Sequence, residues 1–513
     1  MADNSSSNKR IAKNTLLLYA RMLYSLFISL FTARIILNAL GFEDYGLYNV
    51  IGSIVAMFVF LRSAMGNSTH RYITYAIGKG DFDNIQKVFS LSVIIFTALA
   101  ILIVLLCETV GLWFFYEKLN IPDGRMTAAF WVYQFSIITT AITVICVPYD
   151  AIIIAHERMN IFAFVQVLSS TLSLGTVYLV KISPFDKLIL YAFLLFLIQV
   201  INRVIYGIYC GRHFPETKFK FIKDWSLMKE MTSFAGWSLI GNLIWVGYTQ
   251  GVNIMLNIFF GPAVNAARGI AVQVQNAMSG FVTNFQTALN PQIIKSYARK
   301  DFKRQLQLLY SSSKFSYFLT LCMVLPVFVE ADGILVLWLR EVPDYTTAFL
   351  RLILLISLIS PLENPIGISN NATGDIKKYQ LTVGCFNIFI FILAFVALKL
   401  GYEPYSVFIV QFVISAVVLF VKLLLVKDKI QLSLRDYFSN VLLKILIVTI
   451  IASMVPITIH YFKPTNSVIG LLLNCAIGAI SAAICSYFIG MNSQERAFIL
   501  NNIKQFFEKF RRK

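Results

Sequence analysis

The sequence predicts an all-α polytopic membrane protein of about fourteen transmembrane helices. They form two six-helix lobes related by a pseudo-twofold axis along the membrane normal, plus two C-terminal helices. Three observations carry this. The 513 residues are 58% hydrophobic and only 14% charged, against roughly a quarter charged in soluble domains. Apolar stretches of about 20 residues, the length that crosses hydrocarbon as a helix, recur along the whole chain. A weak internal duplication sorts most of them into two sets.

The predicted spans run near 14–39, 45–65, 88–115, 126–150, 161–181, 187–210, 231–259, 263–290, 313–338, 346–371, 379–399, 404–427, 438–461 and 467–490. A net charge of +18 would suggest nucleic acid in a soluble chain. Here the basic residues sit between apolar runs, where membrane topology explains them, so nucleic acid is not a predicted partner. With the N-terminus inside, the inward segments hold Lys9, Arg10, Lys13, Arg71, Lys79, Lys87, Lys218, Lys220, Lys223, Lys303, Arg304, Lys314 and the basic C-terminal run. Outward loops hold Lys118, Arg125, Lys181, Lys187, Arg340, Lys399 and Lys463. A bias of about four to one predicts cytoplasmic termini. The outward loops are short, and none has room for a catalytic domain, so no enzyme is expected.

The duplication has an offset near 220 residues. Asp81-Phe82 recurs as Asp301-Phe302, Leu112-Trp113 as Leu337-Trp338, and Pro122-Asp123 as Pro343-Asp344. Thr127-Ala128-Ala129-Phe130 recurs as Thr346-Thr347-Ala348-Phe349, and Pro148 corresponds to Pro365. Each repeat has an even number of spans, so both enter from the same side. The expected division is an N-terminal lobe at 1–210, a cytoplasmic linker at 211–230, a C-terminal lobe at 231–427 and helices thirteen and fourteen in 428–490. A basic amphipathic cytoplasmic tail takes 491–513, its stripe running Ile499, Ile503, Phe506, Phe507, Phe510.

Several chemistries are not indicated. Most of the seven cysteines lie in apolar segments without a CxxC pair, and the four histidines fit no metal or triad spacing, so no metal and no cofactor is predicted. There is no GxxxxGK[ST] loop for ATP. The first apolar run is not expected to be a cleavable leader, since it holds Arg21 and Arg34 and lacks an AxA-like exit.

Polar residues inside the spans mark the candidate site. The eighth span carries Asn265, Arg268, Gln273, Gln275, Asn276, Asn284, Gln286 and Asn290, opposite an apolar face of Ile270, Val274, Met278, Phe281 and Phe285. The seventh adds Asn242, Gln250, Asn253 and Asn257. In hydrocarbon such amides need protein or water, so the face either lines a water-filled cavity or ties helices together. The number of amides on one helix favours the cavity. An arginine at the bilayer centre costs roughly 2.5–3.5 kcal/mol on insertion scales, so each needs a reason. Arg62 and Arg203 sit near inner ends and can snorkel. Arg21, Arg34 and Arg268 lie deeper or towards the outer side, where a bound anion explains them better, and Arg351 is a weaker candidate. The acids inside the spans, Glu108, Asp150, Glu330 and Glu363, each suit proton relay, sodium binding or pairing with arginine, which leaves coupling open. For Glu108 and Glu330, near helix ends, simply facing water is a further reading.

The runs Asn14-Thr15-Leu16-Leu17-Leu18-Tyr19-Ala20-Arg21 and Ala33-Arg34-Ile35-Ile36-Leu37-Asn38-Ala39-Leu40-Gly41-Phe42-Glu43-Asp44-Tyr45-Gly46 resemble the opening of bacterial polysaccharide flippases. These are the Wzx-type members of the multidrug/oligosaccharidyl-lipid/polysaccharide exporter superfamily. Ile154-Ala155-His156-Glu157-Arg158-Met159-Asn160, Gln250-Gly251-Val252-Asn253-Ile254 and Asn265-Ala266-Ala267-Arg268-Gly269-Ile270-Ala271 look similar too. The resemblance implies two six-helix lobes in a V, rocking alternating access and residence in the bacterial inner membrane. It implies an undecaprenyl-diphosphate-linked oligosaccharide as substrate, membrane lipid as surroundings, and polymerase and assembly proteins as further candidate partners. The substrate-binding set is then Arg21, Arg34, Arg268, Gln250, Asn253, Asn257, Gln275 and Asn276, with arginines suited to a diphosphate. The rivals are a multidrug–cation antiporter of the same superfamily, which wants a carboxylate where Arg21 and Arg34 stand, and a membrane-embedded glycosyltransferase or polymerase.

Overall fold

The computed structural model describes residues 2–56, 59–117, 121, 124–260, 262–339, 342–462, 467–493 and 495–497. Every regular element among them is helical. Helix α1 is Ala2–Ala56, bent at Gly41, whose φ of 80° is open only to a residue without a β-carbon at little cost. Then follow α2 (Val59–Lys79), α3 (Phe82–Glu117), α4 (Met126–Ala155), α5 (Met159–Ile182), α6 (Lys187–His213) and α7 (Trp225–Phe260). The rest are α8 (Pro262–Ala298), α9 (Phe302–Val329), α10 (Thr346–Thr373), α11 (Lys377–Lys399), α12 (Ser406–Val426), α13 (Leu434–Phe462) and α14 (Val468–Gly490). Among the described residues eleven helices, α3–α7 and α9–α14, are long and apolar enough to cross a membrane. The remaining predicted spans fall on α1, α2 and α8, and α8 is diluted by its amides.

Two compact units form: Ala12–Asn242, and Leu243–Lys513 together with residues 1–11. In the first, α4 packs on α2, α3 and α6, and α5 packs on α6. Its core holds Phe96, Phe115, Val132, Tyr133 and Ile137. In the second, α8 packs on α9 and α10, α11 on α12, and α14 on α9 and α13. One continuous core there reaches from Leu256 through Phe349 and Phe408 to Tyr437 and Ala482, so α13 and α14 share the core of α8–α12. Close approach is built from small residues. A β-carbon on Gly478 would meet Pro326 of α9 at 3.4 Å, and one on Gly490 would strike the Phe318 ring at 2.3 Å.

The sequence duplication reappears as repeated backbone motifs. Gly80 ends α2 at φ 73°, its N–H bonding Ile77 O at 3.1 Å while Asp81 N–H bonds Ala76 O at 3.1 Å. Asp81 Oδ1 then caps α3 by accepting from Asn84 N at 3.1 Å. Lys300, at φ 58°, and Asp301 make the same two bonds to Tyr297 O and Ser296 O at 2.9 Å each. Asp301 caps α9 by accepting from Arg304 N at 3.0 Å. α4 breaks at Cys146 between Met126–Ile145 and Val147–Ala155, and α10 breaks between Thr346–Ser357 and Ser360–Thr373. Glu157 at φ 59° ends the one and Gly374 at φ 84° the other. α3 widens into a π-turn over Cys107–Gly111, and α9 stops at Glu330 before a short helix Ala331–Leu339.

One expectation is corrected here, and two cations of the inward set are found packed. Glu330 does not face water: it is buried, and its Oε1 lies 3.0 Å from both His460 Nδ1 of α13 and Asn474 Nδ2 of α14. Two helices from outside the repeat cover it. Lys314 is buried and donates to Glu495 Oε2 at 2.8 Å, which ties the chain after α14 to α9. Arg71 is likewise buried on α2, its guanidinium 4.3 Å from the Tyr72 ring centroid and 5.0 Å from that of Tyr75. The stripe Ile499–Phe510 lies outside the described residues.

Candidate functional site

Each unit carries its own intramembrane polar cluster. In the second unit α7 and α8 place Arg268 against neutral groups. Its Nη1 donates to Asn253 Oδ1 at 3.2 Å and its Nη2 to Thr249 O at 3.2 Å. Among the described residues no carboxylate pairs with it, and its buried Nε donates to nothing. A guanidinium held only by an amide and a carbonyl keeps its full positive charge and one unused donor for an incoming anion.

Tyr248 of α7 lies beside Gln411 of α12 and within electrostatic range of Arg268, Glu363 and Lys422. Lys422 Nζ of α12 donates to Glu363 Oε2 of α10 at 3.0 Å, and Tyr379 of α11 faces the same pair. Of the roles open to it, Glu363 takes pairing, with a lysine. Lys422 was not singled out in the sequence reading. Its signal was a lone ammonium inside the apolar run Val417–Val426.

The α8 amides differ in what they meet. Gln286 is glue: its Nε2 donates to Ser316 Oγ of α9 and Pro361 O of α10, both at 3.1 Å, and its Oε1 accepts from Asn364. Gln273 and Asn276 are exposed, Gln275 is half-buried, and on α7 Gln250 is exposed. Asn253 holds Arg268. The Asn257 and Arg34 side chains fall outside the described residues.

In the first unit Arg21 of α1 is half-buried, 5.6 Å from the Phe162 ring centroid of α5 and within electrostatic range of Tyr206 of α6. Tyr206 in turn lies within electrostatic range of Asp150 of α4. Arg203 lies 4.2 Å from the Tyr149 ring centroid and donates to its hydroxyl at 3.0 Å, so that guanidinium is packed as well as near a helix end. Arg351 is spoken for, donating to Phe328 O at 3.2 Å and pairing with Asp332 at 2.9 Å. Among the described residues no group of three or more His, Cys, Asp or Glu is placed to hold a metal ion.

Each cluster thus sets a guanidinium and a tyrosine inside apolar helices. Comparison with solved structures gives the same fold. A multidrug resistance MATE family transporter of the MOP superfamily, in an outward-facing conformation, superposes with a TM-score of 0.72 at 14% identity, covering 83% of this chain and 96% of that one. A MATE transporter in the bent conformation gives 0.72 at 15% identity over the same shares. A MOP superfamily transporter from Pyrococcus furiosus, for which a reversed polarity of the binding pocket suggests a different function, gives 0.67 at 15% identity, again over 83% and 96%. No protein of curated function matches the chain in sequence. The family model described as polysaccharide biosynthesis protein matches residues 11–296. That is more than half of the chain, and the protein belongs to this polysaccharide biosynthesis family, the Wzx-type flippases that its opening residues resemble, on the fold of the MATE transporters.

Proposed function

We propose that this membrane transporter is a flippase. It moves a polyprenyl-diphosphate-linked oligosaccharide from the cytoplasmic to the periplasmic leaflet of the bacterial inner membrane, by alternating access, for a cell-surface polysaccharide such as O-antigen. The observation that carries this reading is Arg268, an intramembrane guanidinium with neutral partners only. A diphosphate supplies the missing charge in a bidentate geometry. Arg21 and Arg34 contribute further charge, while Gln250, Asn253, Asn257, Gln275 and Asn276 offer amides to sugar hydroxyls. The antiporter reading is weaker because Glu363, a carboxylate a cationic drug would seek, already holds Lys422.

The test uses purified protein in vesicles carrying a fluorescent lipid-diphosphate oligosaccharide. After the outer-leaflet label is extinguished by an impermeant quencher, the inner-leaflet label should be lost faster with the protein than in protein-free vesicles. No acceleration, together with uptake of a cationic drug, would overturn the proposal in favour of antiport.

Both termini are proposed to be cytoplasmic, from the loop-charge bias. In a chain whose native cysteines are replaced by alanine, single cysteines at Asp344 and Lys399 are expected to react with an impermeant thiol reagent added to intact cells. Those at Lys303 and Lys378 are expected to react only after lysis. All four sites are exposed, so a silent position reports sidedness and not burial. Reversal of either pair would sink the orientation.

A further inference from the structure

Between the turn Pro215–Thr217 and α7 the chain reads Lys218-Phe219-Lys220-Phe221-Ile222-Lys223-Asp224-Trp225, an alternation of ammonium and aromatic groups. Its backbone is pinned. Gln86 Nε2 donates to Lys218 O at 3.0 Å, and the Lys220 N–H donates to Oγ of the fully buried Ser90 at 3.2 Å. Upstream, His156 Nε2 lies 2.7 Å from Glu216 Oε1. Downstream, Asp224 Oδ1 accepts from Leu227 N at 3.0 Å. The side chains, in contrast, are displayed. Phe219, Phe221 and Trp225 are 56%, 78% and 74% exposed. Lys218, Lys220 and Lys223 are exposed, and none has an ion pair among the described residues.

A loose linker would not need buried hydrogen-bond partners, and a water-facing one would not carry three exposed aromatics. Depth decides the occupant. Ser90 sits about two turns into α3 from Phe82, the level at which that helix enters the predicted hydrocarbon, so the strip lies along the membrane boundary. Aromatic side chains favour that interface, and lysines there reach lipid phosphates. We infer that residues 218–225 form a docking strip for anionic lipid headgroups, with Phe219, Phe221 and Trp225 seated among the lipids and the three lysines on their phosphates. The inference rests on membrane insertion and, for the leaflet involved, on the proposed topology. It does not depend on the transported substrate.

The test is Trp225 fluorescence in full-length protein, read as the difference between wild type and Trp225→Phe. The vesicles are phosphatidylcholine containing equal fractions of either brominated phosphatidylglycerol or brominated phosphatidylcholine. Brominated phosphatidylglycerol should quench about twofold more strongly, because lysines enrich anionic lipid at the strip. Lys218→Ala/Lys220→Ala/Lys223→Ala should bring the two lipids to equality while quenching itself persists. That protein should unfold at the wild-type temperature, since none of these lysines is paired. Equal quenching of the wild type by both lipids would overturn the anionic assignment. Quenching by neither would place the strip in water and give it to an acidic protein partner instead.

Discussion

Arg268→Ala is expected to lower transport of the lipid-linked oligosaccharide by roughly a hundredfold, with the protein still inserted in the membrane. Removing one side of a desolvated charge-assisted contact costs about 2–5 kcal/mol, and about 2.8 kcal/mol is a hundredfold. The same substitution leaves Asn253 Oδ1 and Thr249 O without their donor, at about 1 kcal/mol each, so folding yield must be followed beside transport. Arg268→Lys separates the two effects. It keeps the charge and can reach one of the two acceptors, yet loses the planar fork that matches a diphosphate. Lysine is therefore expected to restore yield fully and transport only in part, to about a tenth of wild type. Full transport by a well-expressed Arg268→Ala protein would remove it from the site and leave Arg21 and Arg34 as the anion ligands.

How far the sequence reached depended on the kind of signal. Helices and their repeat were legible because apolar length and turn residues are local properties. Asp81 and Asp301 cap their helices through bonds spanning only three residues, and the positive φ at Gly80 and Lys300 belongs to the same short motif. Arg268 was legible because an arginine in an apolar span has few explanations. Partners distant in sequence were not legible. Glu330 looked exposed near a helix end until α13 and α14 brought His460 and Asn474, 130 and 144 residues away, onto its carboxylate. Lys314 looked like one more inward-loop cation, yet Glu495 meets it across 181 residues. Gln286 and Gln275 were alike as amides on one helix, and only packing separates the buried tie from the half-buried side chain. Composition reports what a helix carries; the neighbours decide what each side chain does.

The Glu363–Lys422 pair illustrates that gap and carries a second large expected effect. The two groups come from α10 and α12, are 3.0 Å apart, and sit among Tyr248, Tyr379 and Gln411, so α7, α10, α11 and α12 meet on them. A charge half-buried between these helices is costly unless it is paired. Lys422→Met, which keeps the bulk and removes the ammonium, should cost about 3–5 kcal/mol because Glu363 is left uncompensated. For a domain of this size that is a fall in Tm on the order of 10 °C. Glu363→Gln/Lys422→Met should recover most of the loss, since neither an isolated anion nor an isolated cation remains. The comparison of single and double variants then gives the coupling energy directly. A Lys422→Met protein as stable as wild type would show that the pair does not hold these helices together. Transport by the double variant then decides the role of the charges. A packing role requires it to flip the oligosaccharide at near the wild-type rate once its stability returns. A stable but inactive double variant would move Glu363 and Lys422 from the scaffold into the transport cycle.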